Sequence, residues 1–142
     1  MAELSATLDL RLRPSVRAVL WLSAVHIAAV ALTVLAGPPK EVGLVMAGLF
    51  LVSWFTLRRH RAFGYGPRAL THLIWHAVGD WTVEDAGGHR EDADLRGSSV
   101  VQSWITVLNF QLRHGGTRTR VLLGDELDPE ALRRLRARLR GG

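Results

Sequence analysis

Two long apolar runs, set almost end to end, restrict what this chain can fold into more than any other feature. The first is Ala18 to Ala36 (AVLWLSAVHIAAVALTVLA) and the second is Val42 to Leu57 (VGLVMAGLFLVSWFTL). Between Ala18 and Leu57 the only formal charges are Lys40 and Glu41, side by side. A helix that crosses a bilayer needs about 20 apolar residues, with roughly 17 as the lower limit. The first run meets that length. The second is short, but Glu41 and Arg58 stand at its ends, where charged side chains can snorkel outward. Neither run carries a polar stripe at helical spacing, as a surface helix of a soluble protein would. The bland alternative is a pair of buried core helices, which a chain of 142 residues could hardly cover. A cleavable leader is the other competitor, since Val34-Leu35-Ala36 resembles a processing site. Against it stand the length of the run and the acidic Glu3 and Asp9 ahead of it.

Gly37-Pro38-Pro39 stops the first helix, because proline lacks an amide donor and restricts its predecessor. The connection 37–41 leaves room only for a tight antiparallel hairpin. Arg11, Arg13 and Arg17 precede the first run, Arg58, Arg59 and Arg61 follow the second, and Lys40 in the loop is cancelled by Glu41. The positive-inside rule then predicts two cytoplasmic termini. Within the hairpin, Gly43 and Ala47, like Ala24 and Ala28, have the small-xxx-small spacing that lets helix backbones approach closely in lipid. Ser23 and Ser53 fall at similar depth and are expected to bond across the hairpin. His26 lies near mid-membrane, where ionisable residues are costly; with no acid nearby, a helix–helix hydrogen bond explains it better than a proton or ligand role.

Beyond Arg58 the chain turns water-soluble in character. The expected division is a cytoplasmic N-terminal segment 1–17, a transmembrane hairpin 18–57, a basic juxtamembrane linker 58–68, and a cytoplasmic β domain 69–142. Thr71, Leu73 and Trp75 alternate with His72, Ile74 and His76, a period of two that suits a half-buried strand, and Gly79-Asp80 and Gly87-Gly88 provide turns toward Trp81–Glu84 and toward Ala93 and Leu95. The clearest strand is Trp104–Leu112, with Trp104, Thr106, Leu108, Phe110 and Leu112 on one face. Gly115-Gly116 suits a hairpin turn. It leads to Thr117–Leu123, where Thr119, Val121 and Leu123 are expected inward and Arg118 and Arg120 outward. The fold class is thus a two-helix membrane hairpin followed by a small antiparallel meander of about five strands. A C-terminal helix over 129–140 follows, with Asp128 as N-cap, Pro129 in the first turn, and a Leu132, Leu135, Leu139 stripe.

No residue pattern points to catalysis. His72 and His76 would be roughly 13 Å apart on a strand, too far to share a metal, and Asp92 with Asp94 reads as a solvated edge. There is no cysteine, hence no disulfide or thiolate site. No cofactor is expected. The charge balance is +5, almost all of it from arginine. An anionic leaflet is worth about 1 kcal/mol per nearby arginine, so bilayer lipid is the simplest partner for Arg133, Arg136 and Arg140 together with Trp104. A protein partner ranks next, a homo-oligomer is compatible with the pattern, and nucleic acid is disfavoured for want of a binding motif.

Taken together, several segments resemble the YgfX family, bacterial inner-membrane proteins also called toxin CptA. They are Leu12-Arg13-Pro14-Ser15-x-Arg17, the His26-bearing helix, the proline loop, Ser103-Trp104-Ile105-Thr106-Val107-Leu108, and the ending from Asp125 through Leu127-Asp128-Pro129-Glu130 to Arg136. Ser103 stands where the family usually has proline. The resemblance implies an inner-membrane toxin of a toxin–antitoxin pair. Such a toxin inhibits assembly of the cytoskeletal proteins FtsZ and MreB by binding them, and is opposed by an SdhE-like antitoxin. The alternative it leaves open is a scaffold for SdhE in flavinylation or respiratory-complex assembly.

Overall fold

The computed structural model describes residues 6–141. Strand β1 (Leu8–Arg11) comes first, then helices α1 (Val16–Ala36) and α2 (Lys40–Arg58), and a 3-10 turn at Arg61–Phe63. Six more strands follow: β2 (Leu70–Trp75), β3 (Trp81–Asp85), β4 (Arg90–Leu95), β5 (Val100–Val101), β6 (Thr106–Leu112) and β7 (Thr117–Leu122). Helix α3 (Pro129–Gly141) ends the described chain.

The two apolar runs form the expected hairpin. Ser15 caps α1 by accepting from the Ala18 amide, and Gly37 closes it in the left-handed conformation at φ 60°, which glycine adopts without a Cβ penalty. Only 6% of the most apolar window of α1 and none of that of α2 is buried. The helices therefore do not form the core of the sheet domain. They expose Leu20, Ile27, Leu32, Leu44 and Leu51, as only a nonpolar surrounding makes tolerable.

The sheet is antiparallel throughout, in the order β1-β2-β3-β4-β6, with β5 sharing one edge of β6 with β4 and β7 on its other edge. Its inner face holds Leu73, Trp81, Val83, Ala93, Leu108, Phe110 and Leu122, and α3 covers it with Leu132 and Leu135. Trp81 anchors this core, stacked on Trp75 at 4.6 Å and edge-on to Phe110 at 5.1 Å. Arg138 of α3 lies 4.1 Å over the Trp75 ring and donates to the carbonyls of Ala6 and His76, fixing the helix across the sheet.

The fold departs from the sequence expectations in three places. The sheet has seven strands rather than about five: Val100–Val101 adds the short β5, and the segment ahead of the hairpin supplies β1, with Leu10 and Leu12 in the core. The domain expected to start at residue 69 is thus discontinuous. The hairpin is an insertion whose two ends meet, since the Ser15 amide donates to the Phe63 carbonyl at 2.9 Å. Second, Trp104 precedes β6 and is 68% exposed, while the rest of the expected inward face is buried. Third, β7 is inverted: Arg120 and Leu122 point inward, and Val121 is only half-buried on the other side. Alternation placed the charge in water. The fold takes it inside because backbone and carboxylate groups await it there.

Candidate functional site

The functional features cluster where the hairpin joins the sheet domain. Arg120, 0% exposed, is the largest fully buried side chain among the described residues. Its Nη2 donates to the Arg13 carbonyl, while Nε and Nη1 have no hydrogen-bond partner. Burial pulls its pKa down, opposed by the charges of Glu126 and Asp125. The guanidinium lies against Gly64, whose φ of 95° closes the 3-10 turn after α2. One side chain thus ties β7 to the segments before and after the hairpin.

A second set of bonds fastens the first turn of α1. The Asp125 carboxylate accepts from the Ser15 hydroxyl and from the Arg17 amide, both at 2.9 Å. Arg17 Nη1 donates to the Leu123 carbonyl at 2.7 Å. Glu126, buried beside it, accepts from the Leu123 and Gly124 amides and so holds the corner that presents Asp125. Burial acts to raise the pKa of Asp125, but hydrogen bonds led by the Arg17 amide outweigh it and leave it lowered. The unfolded value is about 3.9, so this contribution is complete above that pH and is lost as pH falls through the lower folded value. The melting temperature of the full-length protein in detergent is therefore expected to drop between pH 5 and pH 3 by less in Asp125→Asn than in the wild type. An equal drop would remove Asp125 from this role.

The other expected orientation residues gather at the same end. Arg58 stacks over Trp54 and Phe55, and Arg59 over Phe55, at 4.4 to 4.8 Å. Arg13 approaches Asp128 at 3.8 Å, Arg61 opens the 3-10 turn, and Arg11 ends β1 opposite His72. The cationic flanks are thus brought together at one end of the hairpin.

Within the hairpin the polar residues pair, though not as expected. Ser23 and Ser53 do not bond each other. Trp54 Nε1 donates to Ser23 at 2.9 Å, and His26 Nε2 lies 3.1 Å from the Ser53 hydroxyl. His26 Nδ1 sits 2.7 Å from the Leu22 carbonyl, so it donates there and Nε2 accepts from Ser53. Both nitrogens are satisfied in one tautomer. The longer Trp54 and His26 reach across where two serine hydroxyls fall short. Gly43 is half-buried at the hairpin's closed end, 3.8 Å from Pro38 by its would-be Cβ. Ala24, Ala28 and Ala47 are exposed rather than packed. Ala47 instead borders a groove beside His26 and Phe50.

Trp104 and the three final-helix arginines expected with it converge. Trp104, Arg133, Arg136 and Arg140 line one cleft of about 1420 Å³ between α3 and the start of α1, together with Arg17 and Trp21. Arg136 is pinned by a bond from Nε to Thr106 Oγ1 at 3.1 Å. Glu130 chelates Arg133 and also meets Arg134, and the bonds from Arg133 above all bring its pKa down to about 2. Among the described residues no cluster of three or more potential metal ligands occurs. Sequence reasoning places Arg120 on the outer face and gives Gly64, Asp125 and Glu126 no role in a site. A glycine–acid–acid corner directly after a strand was the available signal for the last two.

No curated protein and no solved structure is matched by this chain. A family model described as the membrane-bound toxin component of a toxin–antitoxin system matches residues 6–142, nearly the whole length. It takes in β1, the hairpin, the sheet and α3, the same elements that hold the joint together. The chain belongs to this family of membrane-bound toxins, the CptA family that its sequence resembles.

Proposed function

We propose that the protein is an inner-membrane toxin, multi-pass with both termini cytoplasmic, that acts by stoichiometric protein binding and not by catalysis. Its sheet domain captures FtsZ and MreB at the membrane surface and blocks their assembly, and an SdhE-like antitoxin opposes it. Membership of the membrane-bound toxin family supports the toxin role. The observation that carries the reading is the joint. A domain bonded to its anchor through Ser15, Arg17, Asp125 and Arg120 stays at the bilayer, and confinement there raises its effective concentration toward membrane-associated polymers. The basic residues at the open end of the hairpin support cytoplasmic termini.

Expression of the full-length chain, verified in the membrane fraction, is expected to distort cell shape, and co-expression of an SdhE-like partner to restore it. Normal morphology at verified membrane expression contradicts the reading. If deletion of the gene lowered covalent flavin in succinate dehydrogenase while expression left shape unaltered, the scaffold role would take its place.

A further inference from the structure

The geometry points to the cleft between α1 and α3 as a binding site for one anionic phospholipid, its phosphate held by arginine and its chains lying along the hairpin. The cleft opens beside the first turns of α1, at the basic end of the hairpin, which is the depth of lipid headgroups when the helices sit in a bilayer. Arg17, Arg136 and Arg140 reach it together with Arg133, whose guanidinium is already paired with Glu130; among the described residues no acid lines the cleft itself. Arg17 and Arg136 are each anchored by one nitrogen, to the Leu123 carbonyl and to Thr106, so these two cations are held in place before any ligand arrives. Guanidinium groups suit phosphate because their planar donors can bind two oxygens at once.

The remaining features separate a lipid from a soluble anion. Trp21 and Trp104 border the cleft and are 66% and 68% exposed, and tryptophan is the residue enriched at the headgroup level of bilayers. Helical spacing puts Trp21, Val25, Ala28 and Leu32 on one face of α1, all of them exposed. An apolar track therefore leads from the arginines into the bilayer. At about 1420 Å³ the cleft exceeds the range of ordinary small-ligand pockets, about 300–1,000 Å³. A headgroup with the upper parts of its chains uses such a volume.

The test is native mass spectrometry of the full-length protein released from mixed micelles of phosphatidylglycerol and phosphatidylcholine. One phosphatidylglycerol is expected to be retained in preference to phosphatidylcholine by at least about tenfold, the effect of roughly two arginines near an anionic headgroup. The double variant Arg136→Gln, Arg140→Gln should lose that preference. Trp104→Ala, outside the core and thus harmless to folding, should weaken retention while leaving the melting temperature unchanged. Equal retention of the two lipids, or an undiminished preference in both variants, overturns the site. So does competition in which polyglutamate binds the protein and inorganic phosphate or phosphatidylglycerol does not, since the cleft would then be a seat for an acidic protein.

Discussion

Gly64→Ala is expected to lower the melting temperature of the sheet domain by about 15 °C, the effect of roughly 3 kcal/mol on a domain of this size. Two costs combine. At φ 95° an alanine is strained by about 1–2 kcal/mol, and its Cβ would fall on the Arg120 guanidinium. Forcing a filled interior apart costs typically 1–3 kcal/mol. Arg120 cannot retreat, being enclosed on all sides and bonded to the Arg13 carbonyl. Arg120→Ala should be comparably damaging, about 3–5 kcal/mol, for two reasons: truncating a large, fully buried side chain leaves a cavity, and the buried Glu126 and neighbouring Asp125 lose a nearby compensating charge. Arg120→Met separates the two causes by restoring volume without charge, and is expected to recover only part of the loss. Thermal melts followed by circular dichroism decide these cases. A Gly64→Ala protein melting within about 3 °C of the wild type, under 1 kcal/mol, would contradict the close packing at the joint.

Deleting residues 1–14 is expected to abolish folding of the sheet domain altogether. The deletion removes β1 and with it Leu10 and Leu12, which are 1% and 6% exposed. Each buried leucine is worth about 2–5 kcal/mol by truncation to alanine. The same deletion strips the Arg13 carbonyl from Arg120 and exposes the edge of β2, which β1 covers with a four-residue ladder. Against a total stability of roughly 5–15 kcal/mol, these losses leave little. A fragment running from Arg61 to Gly142 lacks the same elements and should fail in the same way. Limited proteolysis of the deletion variant tests this. Resistance equal to that of the full chain would show that β1 is dispensable.

The parts of the fold that could be read from sequence are those that local pattern specifies. The hairpin follows from unbroken apolar length and a Gly-Pro-Pro stop, β6 from a clean period of two, and α3 from its proline start and leucine stripe. β1 escaped notice because LDLR is four residues long and carries a charge at every second position. Only a partner more than sixty residues away, beyond the whole hairpin, makes it a strand. The facing of β7 departs from its alternation for a related reason. Thr119, Val121 and Leu123 form an acceptable inner face by alternation alone. The true inner face contains an arginine whose bond partner and counter-charges come from other segments. The cleft was half legible: Trp104, Arg133, Arg136 and Arg140 stood out as residues, but their meeting with Arg17 and Trp21 depends on how the hairpin is fastened. The crossed Ser23–Trp54 and His26–Ser53 pairs likewise depend on helix rotation, which apolar runs without a polar stripe leave open.

A single account underlies these expectations: the hairpin alone holds the protein in lipid, and it is inserted into a sheet domain completed by the residues on both sides of it. Replacing residues 19–59 with a glycine–serine linker of about eight residues, enough to span roughly 15 Å, isolates that claim. The Ser15–Phe63 hydrogen bond keeps the two ends adjacent. On alkaline carbonate extraction the full-length chain should stay with the membrane pellet, whereas the shortened chain should be soluble and melt cooperatively with a β-rich spectrum. A shortened chain that is unfolded, or that still sediments with the membranes, would contradict it.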